Sequence, residues 1–486
     1  MKKTALAVAA LLAACNTDPP QVLPPPFGPG PKSTRLFFPT GLASTPDGTL
    51  IVANGNFNHA FDSGTMVSIR RSFIDPLFLP DPNTGKPQEC DVPNPDPALA
   101  ASCKRQIPQD QFGRAVLIGN YAGPLVLSDD GLFAYTGSRD SGRLNGVRVD
   151  RGGDLHCLPG AGDDAKQDCR AGVIDLTSAK VDGPYNIVPG DTVSPGATAA
   201  QRVFFVSSII PHIDSVTSGV IFTSTSVAVL NMSDLSTPDP SRSPLLFSMV
   251  AGTFPLPDGG NAPGAMVFDS VRRRLYLMGC YQRSAAGFGA GEPGTVLCGN
   301  NGVNLLRILG VDASDNPGVP LEIDLHGDVR SSFTVQLLLG DPDPLTQAPA
   351  TLWATMRIPD VIARIELPAS PAVAPRVRKV TPLPVSPADM VRIQRTGAAD
   401  LLAIVAEKAN SVLVYDTGAD RVVAQVGRLG DSPFMIHQIP CPADPLLAGS
   451  ACLATSVFAE CRIAFIEVPL GQPELSGLRG LAGHCP

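Results

Sequence analysis

The sequence predicts an all-β fold, and three features support this prediction. The 486-residue chain contains 49 Pro and 47 Gly, the two residue types that most often interrupt helices. Hydrophobic residues make up 44 % of the chain, which is enough for a packed core. Short apolar segments separated by polar turns recur along its length. We therefore expect a folded protein built from short strands.

Charge and aromatic content exclude two classes of partner. The chain has 37 Lys and Arg against 45 Asp and Glu, which gives a formal net charge of −8. A surface that binds nucleic acid is normally basic, so we expect no nucleic-acid partner. With one Trp and six Tyr, the sequence also does not favour an aromatic sugar-binding face.

The N-terminus reads as an export signal. Residues 1–14, MKKTALAVAALLAA, place two lysines before an apolar run that is shorter than the roughly 20 residues needed to span a bilayer. The run ends in LAAC, which resembles the lipobox of bacterial lipoproteins. This resemblance implies that Cys15 becomes the lipid-bearing first residue of the mature protein. The alternative is an ordinary cleaved signal followed by an unrelated cysteine.

Asn16 follows the lipidation site, and it is not the Asp that retains enterobacterial lipoproteins in the inner membrane. We therefore expect an outer-membrane lipoprotein of the cell envelope that faces the periplasm or the exterior. Residues 15–34 are rich in proline and predict a semi-rigid, lipid-anchored tether. A proline motif that binds a partner is the alternative for this segment.

Ten cysteines remain after Cys15, an even number in a chain expected to leave the cytoplasm. Their spacing predicts local disulfides, although sequence alone does not fix the connectivity. The competing interpretation is a metal or haem site, but the sequence contains no Cys-x-x-Cys motif. The predicted pairs are Cys90 with Cys103, Cys157 with Cys169, Cys280 with Cys298, Cys441 with Cys452, and Cys461 with Cys485.

An internal repeat organises the chain. Each copy has two strands around a turn, and most copies are followed by a third alternating strand. The two-strand units are residues 39–54, 123–136, 263–278, 387–405 and 433–458, with degenerate copies near 202–207 and 350–357. The seven third strands begin at residues 65, 145, 225, 303, 361, 411 and 462.

Such a unit cannot bury both of its faces alone, but radial packing of seven copies as a β-propeller can. Residues 411–434, SVLVYDTGADRVVAQVGRLGDSPF, resemble the YVTN and NHL-like β-propeller families most clearly, and the resemblance covers residues 35–470. Residues 471–486 are expected to be a tail pinned near the ring closure. The segment RLFFP from Arg35 is expected to add a strand to the last blade. Long insertions, several of them closed by disulfides, are predicted at residues 72–116, 151–198, 233–262, 281–301 and 312–345.

In the families that the chain resembles, the loop after each second strand reaches the channel mouth. The candidate residues in these loops are Asn54, Asn56, Arg139, Asp140, His212, Arg283, Arg357, Asp360, Glu407, Lys408, Glu460 and Arg462. Five of these loops contain a cation, and a ring of cations would concentrate a small anionic ligand. The alternative is ordinary solvation of loop tips, with nearby acids neutralising the field.

Catalysis has less support in the sequence. Propeller lactonases hold a divalent cation at the channel mouth, and by that resemblance the weak metal candidates are Asn54, Asn56, Asp140, Asp360 and Glu460. No other cofactor is expected. His437 lies on an apolar strand and is expected to be a hydrogen-bonded core residue rather than a general base.

We therefore expect a monomeric, membrane-tethered ligand-binding or protein-interaction scaffold without catalytic activity. The alternatives are a metal-dependent hydrolase of the lactonase type and an envelope assembly factor.

Overall fold

A computed structural model describes most of the chain. The described residues are 22–28, 35–57, 60–80, 90, 105–128, 130–158, 161–192, 201–208, 212–217, 220–224, 226–233, 248–255, 265–282, 302–311, 321–324, 333–343, 345–370, 373–384 and 386–483. Seven antiparallel sheets succeed one another along the chain, and each forms one blade of a β-propeller. The predicted fold class is confirmed.

The first three blades contain the helix, the short additional strands and the inserted hairpin. Blade 1 and its insertion comprise β1 (Pro39–Ser44), β2 (Leu50–Asn54), β3 (Gly64–Ile69), α1 (Arg71–Phe78), β4 (Gln106–Ile107) and β5 (Val116–Ile118). Blade 2 comprises β6 (Ala122–Leu127), β7 (Phe133–Ser138), β8 (Arg143–Val149), β9 (Leu155–Cys157) and β10 (Ile174–Asp175). Blade 3 and an inserted hairpin comprise β11 (Pro184–Thr192), β12 (Gln201–Ser208), β13 (His212–Thr217), β14 (Val220–Ser224), β15 (Ser226–Ser233) and β16 (Ser248–Pro255).

The remaining blades are regular, and each is built from four consecutive strands. Blade 4 comprises β17 (Ala265–Asp269), β18 (Arg274–Gln282), β19 (Gly302–Gly310) and β20 (Leu321–Asp324). Blade 5 comprises β21 (Phe333–Leu339), β22 (Thr351–Arg357), β23 (Val361–Glu366) and β24 (Arg376–Pro382). Blade 6 comprises β25 (Pro387–Ile393), β26 (Leu401–Ala406), β27 (Ser411–Asp416) and β28 (Arg421–Val426), and blade 7 comprises β29 (Pro433–Ile439), β30 (Ser450–Val457), β31 (Arg462–Pro469) and β32 (Gly477–Ala482).

The sheets form a closed ring around the seven first strands. Each first strand contacts the first strand of the next blade, and β29 of blade 7 contacts β1 of blade 1. Seven separate apolar clusters, which together join every pair of neighbouring blades, make up the core. Each sheet thus buries both faces against its neighbours, as expected for a radial arrangement.

Polar turns join the first and second strands on one side of the ring. In blade 1, Thr45 bonds to Asp47, and the backbone N–H of Gly48 donates to the Thr45 carbonyl. Gly48 has a φ of +91°, a conformation that favours glycine. In blade 2, Ser128 and Asp130 form the equivalent turn, with 2.5 Å between their side-chain oxygens. A hydroxyl and an Asp-Gly turn therefore recur as the local signal for these hairpins.

The ring closes between blades 7 and 1, and part of the blade 1 insertion covers this junction. β4 adds a parallel strand to the outer edge of blade 7 by pairing with β32. Beside it, α1 places the ring of Phe78 edge-on against Phe465, with 6.2 Å between centroids. We call residues 70–80 and 105–107 the clasp.

The expectation that residues from Arg35 would extend the last blade is wrong. Gln106–Ile107 occupies that edge instead. The backbone N–H of Arg35 and the backbone N–H of Leu36 both donate to the side-chain oxygen of Gln109. Their hydrogen-bonding capacity is thereby used, so this segment does not act as a ladder strand.

At the inner side of the same junction, His437 of β29 meets Ser44 of β1. The Nε2 atom of His437 lies 3.0 Å from both the backbone nitrogen and the Oγ of Ser44. Burial lowers the pKa of His437 to about 4. The histidine is therefore a hydrogen-bonded link between the last and first blades, where the sequence predicted a hydrogen-bonded core residue.

Two predicted disulfides are confirmed, Cys157–Cys169 in blade 2 and Cys441–Cys452 in blade 7. Cys90 and Cys461 are also disulfide-bonded. Their predicted partners, Cys103 and Cys485, lie outside the described residues, as does Cys298 of the remaining pair. Those three pairings stay predictions.

The two boundaries predicted for the propeller, residues 35 and 470, differ from those in the structure. β32 lies beyond residue 470, in the segment expected to be a tail, because it completes the sheet of blade 7. Residues 22–28, part of the predicted tether, pack on the propeller. The Asp62 N–H donates to the Val22 carbonyl at 3.0 Å, and Phe27 packs against the core of the closing junction. Within the described residues, no helix is long and apolar enough to cross a membrane.

Candidate functional site

The candidate residues lie at one end of the central channel, which we call the channel mouth. It consists of the residues where each first strand begins and the loops that follow each second strand. Antiparallel pairing places these two positions at the same end of every blade. The blade 4 loop, with Arg283, lies outside the described residues.

Arg139, in the blade 2 loop, is held by aromatic rings. Its guanidinium carbon lies 4.7 Å from the ring centroid of Phe57 and 4.5 Å from that of Tyr185. Within the described part of the chain, this guanidinium makes no ion pair and its buried Nε has no hydrogen-bond partner. Burial lowers its pKa, and the Tyr185 and Tyr121 phenols act in the opposite direction.

Asp140 follows Arg139 and faces a network of amides. Burial raises the pKa of its carboxyl above the ordinary value, against the effect of the Asn120 amide. Asn56 donates to the Asn120 side-chain oxygen at 2.6 Å, and its own oxygen accepts from the Phe61 N–H at 3.1 Å. Asn56 is therefore committed to holding the blade 1 loop.

Asn54 is likewise committed to internal bonds. Its amide nitrogen donates to Thr65 at 2.8 Å and to the Arg35 carbonyl at 3.0 Å, while its oxygen accepts from the Phe37 N–H. The side chain is fully buried. It stabilises the start of blade 1 and does not face the channel mouth as a free metal ligand.

Two other arginines of the mouth, Arg357 and Arg462, are paired with acids. Arg357 bonds to Glu407 of the neighbouring blade at 2.6 Å and to the Pro387 carbonyl at 2.7 Å. Arg462 pairs with Glu460 at 2.8 Å. The Arg357 pair therefore ties the loops of blades 5 and 6 together, whereas the Arg462 pair lies within the single loop of blade 7.

The remaining candidates make few side-chain contacts. Lys408 is exposed and Asp360 is half-buried. His212 stands on β13 and lies 2.8 Å from the Asp182 carboxylate. Among the described residues, no group of three or more His, Cys, Asp or Glu side chains could hold a metal ion.

Asp389, which the sequence did not single out, is buried on the first strand of blade 6. Its carboxylate accepts from the Ile436 N–H at 2.9 Å and from the Gln336 amide at 3.0 Å, so it joins blades 5, 6 and 7. Burial outweighs these bonds and raises the pKa of Asp389 to about 7.

A group of aromatic side chains fills the side of the mouth formed by blades 7, 1, 2 and 3. We call it the aromatic cluster. Its ring centroids are separated by 5.0 Å for Phe38 and Phe458, 5.5 Å for Phe57 and Phe458, 5.1 Å for Phe57 and Tyr121, and 6.0 Å for Phe434 and Phe458. Tyr185 joins it through Arg139. All six side chains are only partly buried.

A sequence signal for this cluster existed. Three of its members flank the proline at the start of a first strand, as Phe38-Pro39, Pro184-Tyr185 and Pro433-Phe434. An aromatic residue beside that proline lies at the channel mouth because the first strand of each blade lines the channel and begins at this end. Charge, which guided the choice of candidates, does not reveal it.

The chain was compared with known proteins. No family model matches, and no curated protein matches. Among solved structures, hydrazine synthase of Kuenenia stuttgartiensis is similar over 90 % of this chain and 97 % of that one, with 12 % identity and a TM-score of 0.48. The β-propeller domain of Cps50 (Swd1) from Myceliophteria thermophila covers 89 % and 96 %, with 10 % identity and a TM-score of 0.45.

A third similar structure is the periplasmic gluconolactonase PpgL of Pseudomonas aeruginosa. It covers 79 % of this chain and 83 % of that one, with 14 % identity and a TM-score of 0.44. At these low identities, the assignment of seven blades rests on the strand pairing described above.

Proposed function

We propose that the protein is a lipid-anchored propeller of the cell envelope that binds a small anionic ligand at its channel mouth, with Arg139 as the anion-binding residue. The observation that supports this proposal is the contrast among the cations. Arg357 and Arg462 are bonded to carboxylates, whereas Arg139 is held between two rings without an acid. A partly desolvated cation without a counter-ion gains more from an anionic ligand than a paired one does.

The rings also position the cation. Phe57 and Tyr185 come from blades 1 and 3, so the guanidinium is fixed between two rigid blades. Little side-chain entropy is then lost when a ligand binds. A guanidinium fixed in this way can donate two parallel hydrogen bonds to a carboxylate.

The tether supports a particular orientation for the proposed site. Val22 bonds to Asp62, which lies in the blade 1 loop of the channel mouth. Cys15, the proposed lipidation site, is seven positions earlier in the chain. Seven extended residues span at most about 25 Å. In the proposed anchored state, the mouth therefore lies close to the membrane surface.

The ligand site is tested with the substitution Arg139→Gln. We expect acetate, lactate or succinate, added at constant ionic strength, to raise the unfolding temperature of the unmodified protein by mass action. The variant should lose this rise, because the neutral amide cannot supply the charge. Its own unfolding free energy should fall by about 2 kcal/mol, the scale of a desolvated cation–π contact.

The matched control is Arg421→Gln, which removes an exposed arginine from the outer strand of blade 6. It should respond to the carboxylates as the unmodified protein does. An equal response of the Arg139 variant and the control would refute the proposed role of Arg139.

The anchor is tested with the substitution Cys15→Ser. Because several acyl chains hold a lipoprotein on a membrane, we expect the unmodified protein in the membrane fraction of the cell. The variant should move to the soluble fraction. Retention of the variant on membranes would contradict lipidation at Cys15.

The alternatives remain less supported. A metal-dependent hydrolase would need clustered ligands, and Asn54 and Asn56 are instead bonded internally. An envelope assembly factor would need a protein partner, for which the described surface gives no specific indication.

A further inference from the structure

We propose that the anion bound at Arg139 is a monocarboxylate that carries an aromatic ring. This inference rests on the proposed function, because it names the class of ligand for the same site. It draws on the aromatic cluster, on the charge balance around Arg139 and on the asymmetry of the channel mouth.

The aromatic cluster surrounds the cation on one side. Phe57 contacts Arg139 directly, and its ring also contacts Phe458 and Tyr121 at centroid distances of 5.5 and 5.1 Å. These pairs are edge-to-face, with interplanar angles of 83° and 88°. A further ring can extend such a herringbone arrangement by an offset or edge contact.

The exposure of these rings favours a bound partner. Phe38, Phe57, Phe434 and Phe458 are all partly exposed, although the same chain buries Phe204, Phe205 and Phe465 almost completely. Small-molecule sites are mostly lined by apolar and aromatic side chains with a few polar groups, and these rings together with Arg139 have that composition. A ligand ring would remove this surface from water, which is favourable.

The local charge selects against highly charged anions. At this side of the mouth Arg462 is paired with Glu460, Arg139 has no ion pair among the described residues, and Asp140 follows Arg139 directly in the loop. A dianion such as phosphate would meet one unpaired guanidinium and one nearby carboxyl group, which does not balance a second negative charge. A singly charged carboxylate needs only the bidentate guanidinium contact.

The opposite side of the mouth is polar and already bonded. Arg357 and Glu407 pair there, and Asp389 accepts hydrogen bonds from Gln336 and Ile436. The exposed apolar side chain beside them, Ile358, is aliphatic and offers no ring. The ligand ring therefore belongs over the aromatic cluster, with its carboxylate directed to Arg139.

The test measures binding of benzoate, cyclohexanecarboxylate, acetate and benzyl alcohol to the purified full-length protein by calorimetry. We expect benzoate to bind at least about tenfold more tightly than acetate, which lacks the ring, and than benzyl alcohol, which lacks the carboxylate. Cyclohexanecarboxylate, which has similar size without a π system, should bind more weakly than benzoate.

Substitutions distinguish the contribution of the aromatic cluster from that of Arg139. Phe458→Leu should weaken benzoate binding about fivefold and leave acetate binding unchanged, since the rings that hold Arg139 are those of Phe57 and Tyr185. Phe73→Leu, in α1 of the clasp and away from the channel mouth, is the matched control and should change neither. If Phe458→Leu does not fold, Tyr121→Leu replaces it.

The outcomes distinguish the inference from the proposed function. If acetate binds in an Arg139-dependent manner and benzoate binds no more tightly, the aromatic ligand class is overturned and anion binding stands. If no carboxylate binds, both are overturned. If cyclohexanecarboxylate equals benzoate, the site recognises apolar bulk, and the aromatic assignment is overturned.

Discussion

Blades 5 and 7 place the same ion pair at the same position of the repeat, in opposite environments. In blade 5, Glu366 of β23 pairs with Arg378 of β24, and the side chains are 44 % and 58 % exposed. In blade 7, Glu467 of β31 pairs with Arg479 of β32 at 2.8 Å, and they are 5 % and 3 % exposed. The two ion pairs therefore occupy equivalent positions of the repeat, but they differ in exposure to solvent, and this exposure determines how much each pair contributes to stability.

The clasp accounts for the difference. β4 pairs with β32, the N–H of Cys90 donates to the Leu478 carbonyl, and Leu77 of α1 packs at Gly480. Blade 5 has no such cover among the described residues. An insertion in blade 1 thus converts a surface ion pair of blade 7 into a buried one. Repeats of one protein therefore cannot be assigned one energy for equivalent contacts.

The largest effect is expected from breaking the buried pair. Glu467→Gln leaves the Arg479 guanidinium buried without its counter-ion, which should lower the unfolding free energy by about 3–5 kcal/mol. Glu366→Gln is the matched control and should cost about 1 kcal/mol or less, because its pair is exposed to solvent. Urea unfolding under non-reducing conditions measures both values.

The role of the clasp in this difference is tested by Leu77→Ala, which should itself cost about 3 kcal/mol. In that background, water can reach the outer edge of blade 7, so Glu467→Gln should cost less than it does alone. Strict additivity of the two substitutions would show that the clasp does not create the burial.

Most strands could be predicted because each copy of the repeat has a local pattern of alternating apolar residues. The second and third strands of every blade lie where alternating apolar residues placed them, for example β26 and β27 of blade 6. Two first strands were missed, β11 and β21, which fall within segments taken as insertions. β11 reads PYNIVPGDT, and its two prolines and glycine are typical of loops. Pairing with β12 and packing within the ring override that local preference.

A smaller effect is expected from pH at the closing junction. The pKa of His437 is about 4 in the folded protein and about 6.5 in an unfolded chain, so the folded state favours neutral histidine. Its contribution to stability is fully present above pH 6.5 and is lost as the pH falls towards 4. The loss is at most about 3 kcal/mol.

The measurement compares urea unfolding at pH 7 and pH 4.5 for the unmodified protein and for His437→Gln. Glutamine can still accept a hydrogen bond from Ser44 but does not titrate. We expect the variant to lose less stability on acidification. An identical loss in both proteins would assign the pH dependence to other groups.

The candidate site was only partly accessible to sequence reasoning. The loops were located correctly, and Arg139 was among the candidates, but its partners Phe57 and Tyr185 were not. Which cations pair with acids depends on contacts between blades, as in Arg357 with Glu407, and such contacts are not encoded by proximity in the chain. The sequence also does not reveal that Asp389 is buried.

The clasp has a consequence for how the chain is made. Arg71 donates to the Cys441 carbonyl across 370 positions of sequence, and the apolar residues Leu77 and Phe78 are covered by blade 7. During synthesis these residues emerge long before Gly477–Ala482 exists. An interrupted chain would display them to chaperones and proteases, whereas a finished chain hides them. Closure of the ring thus covers these apolar residues only after blade 7 has been made.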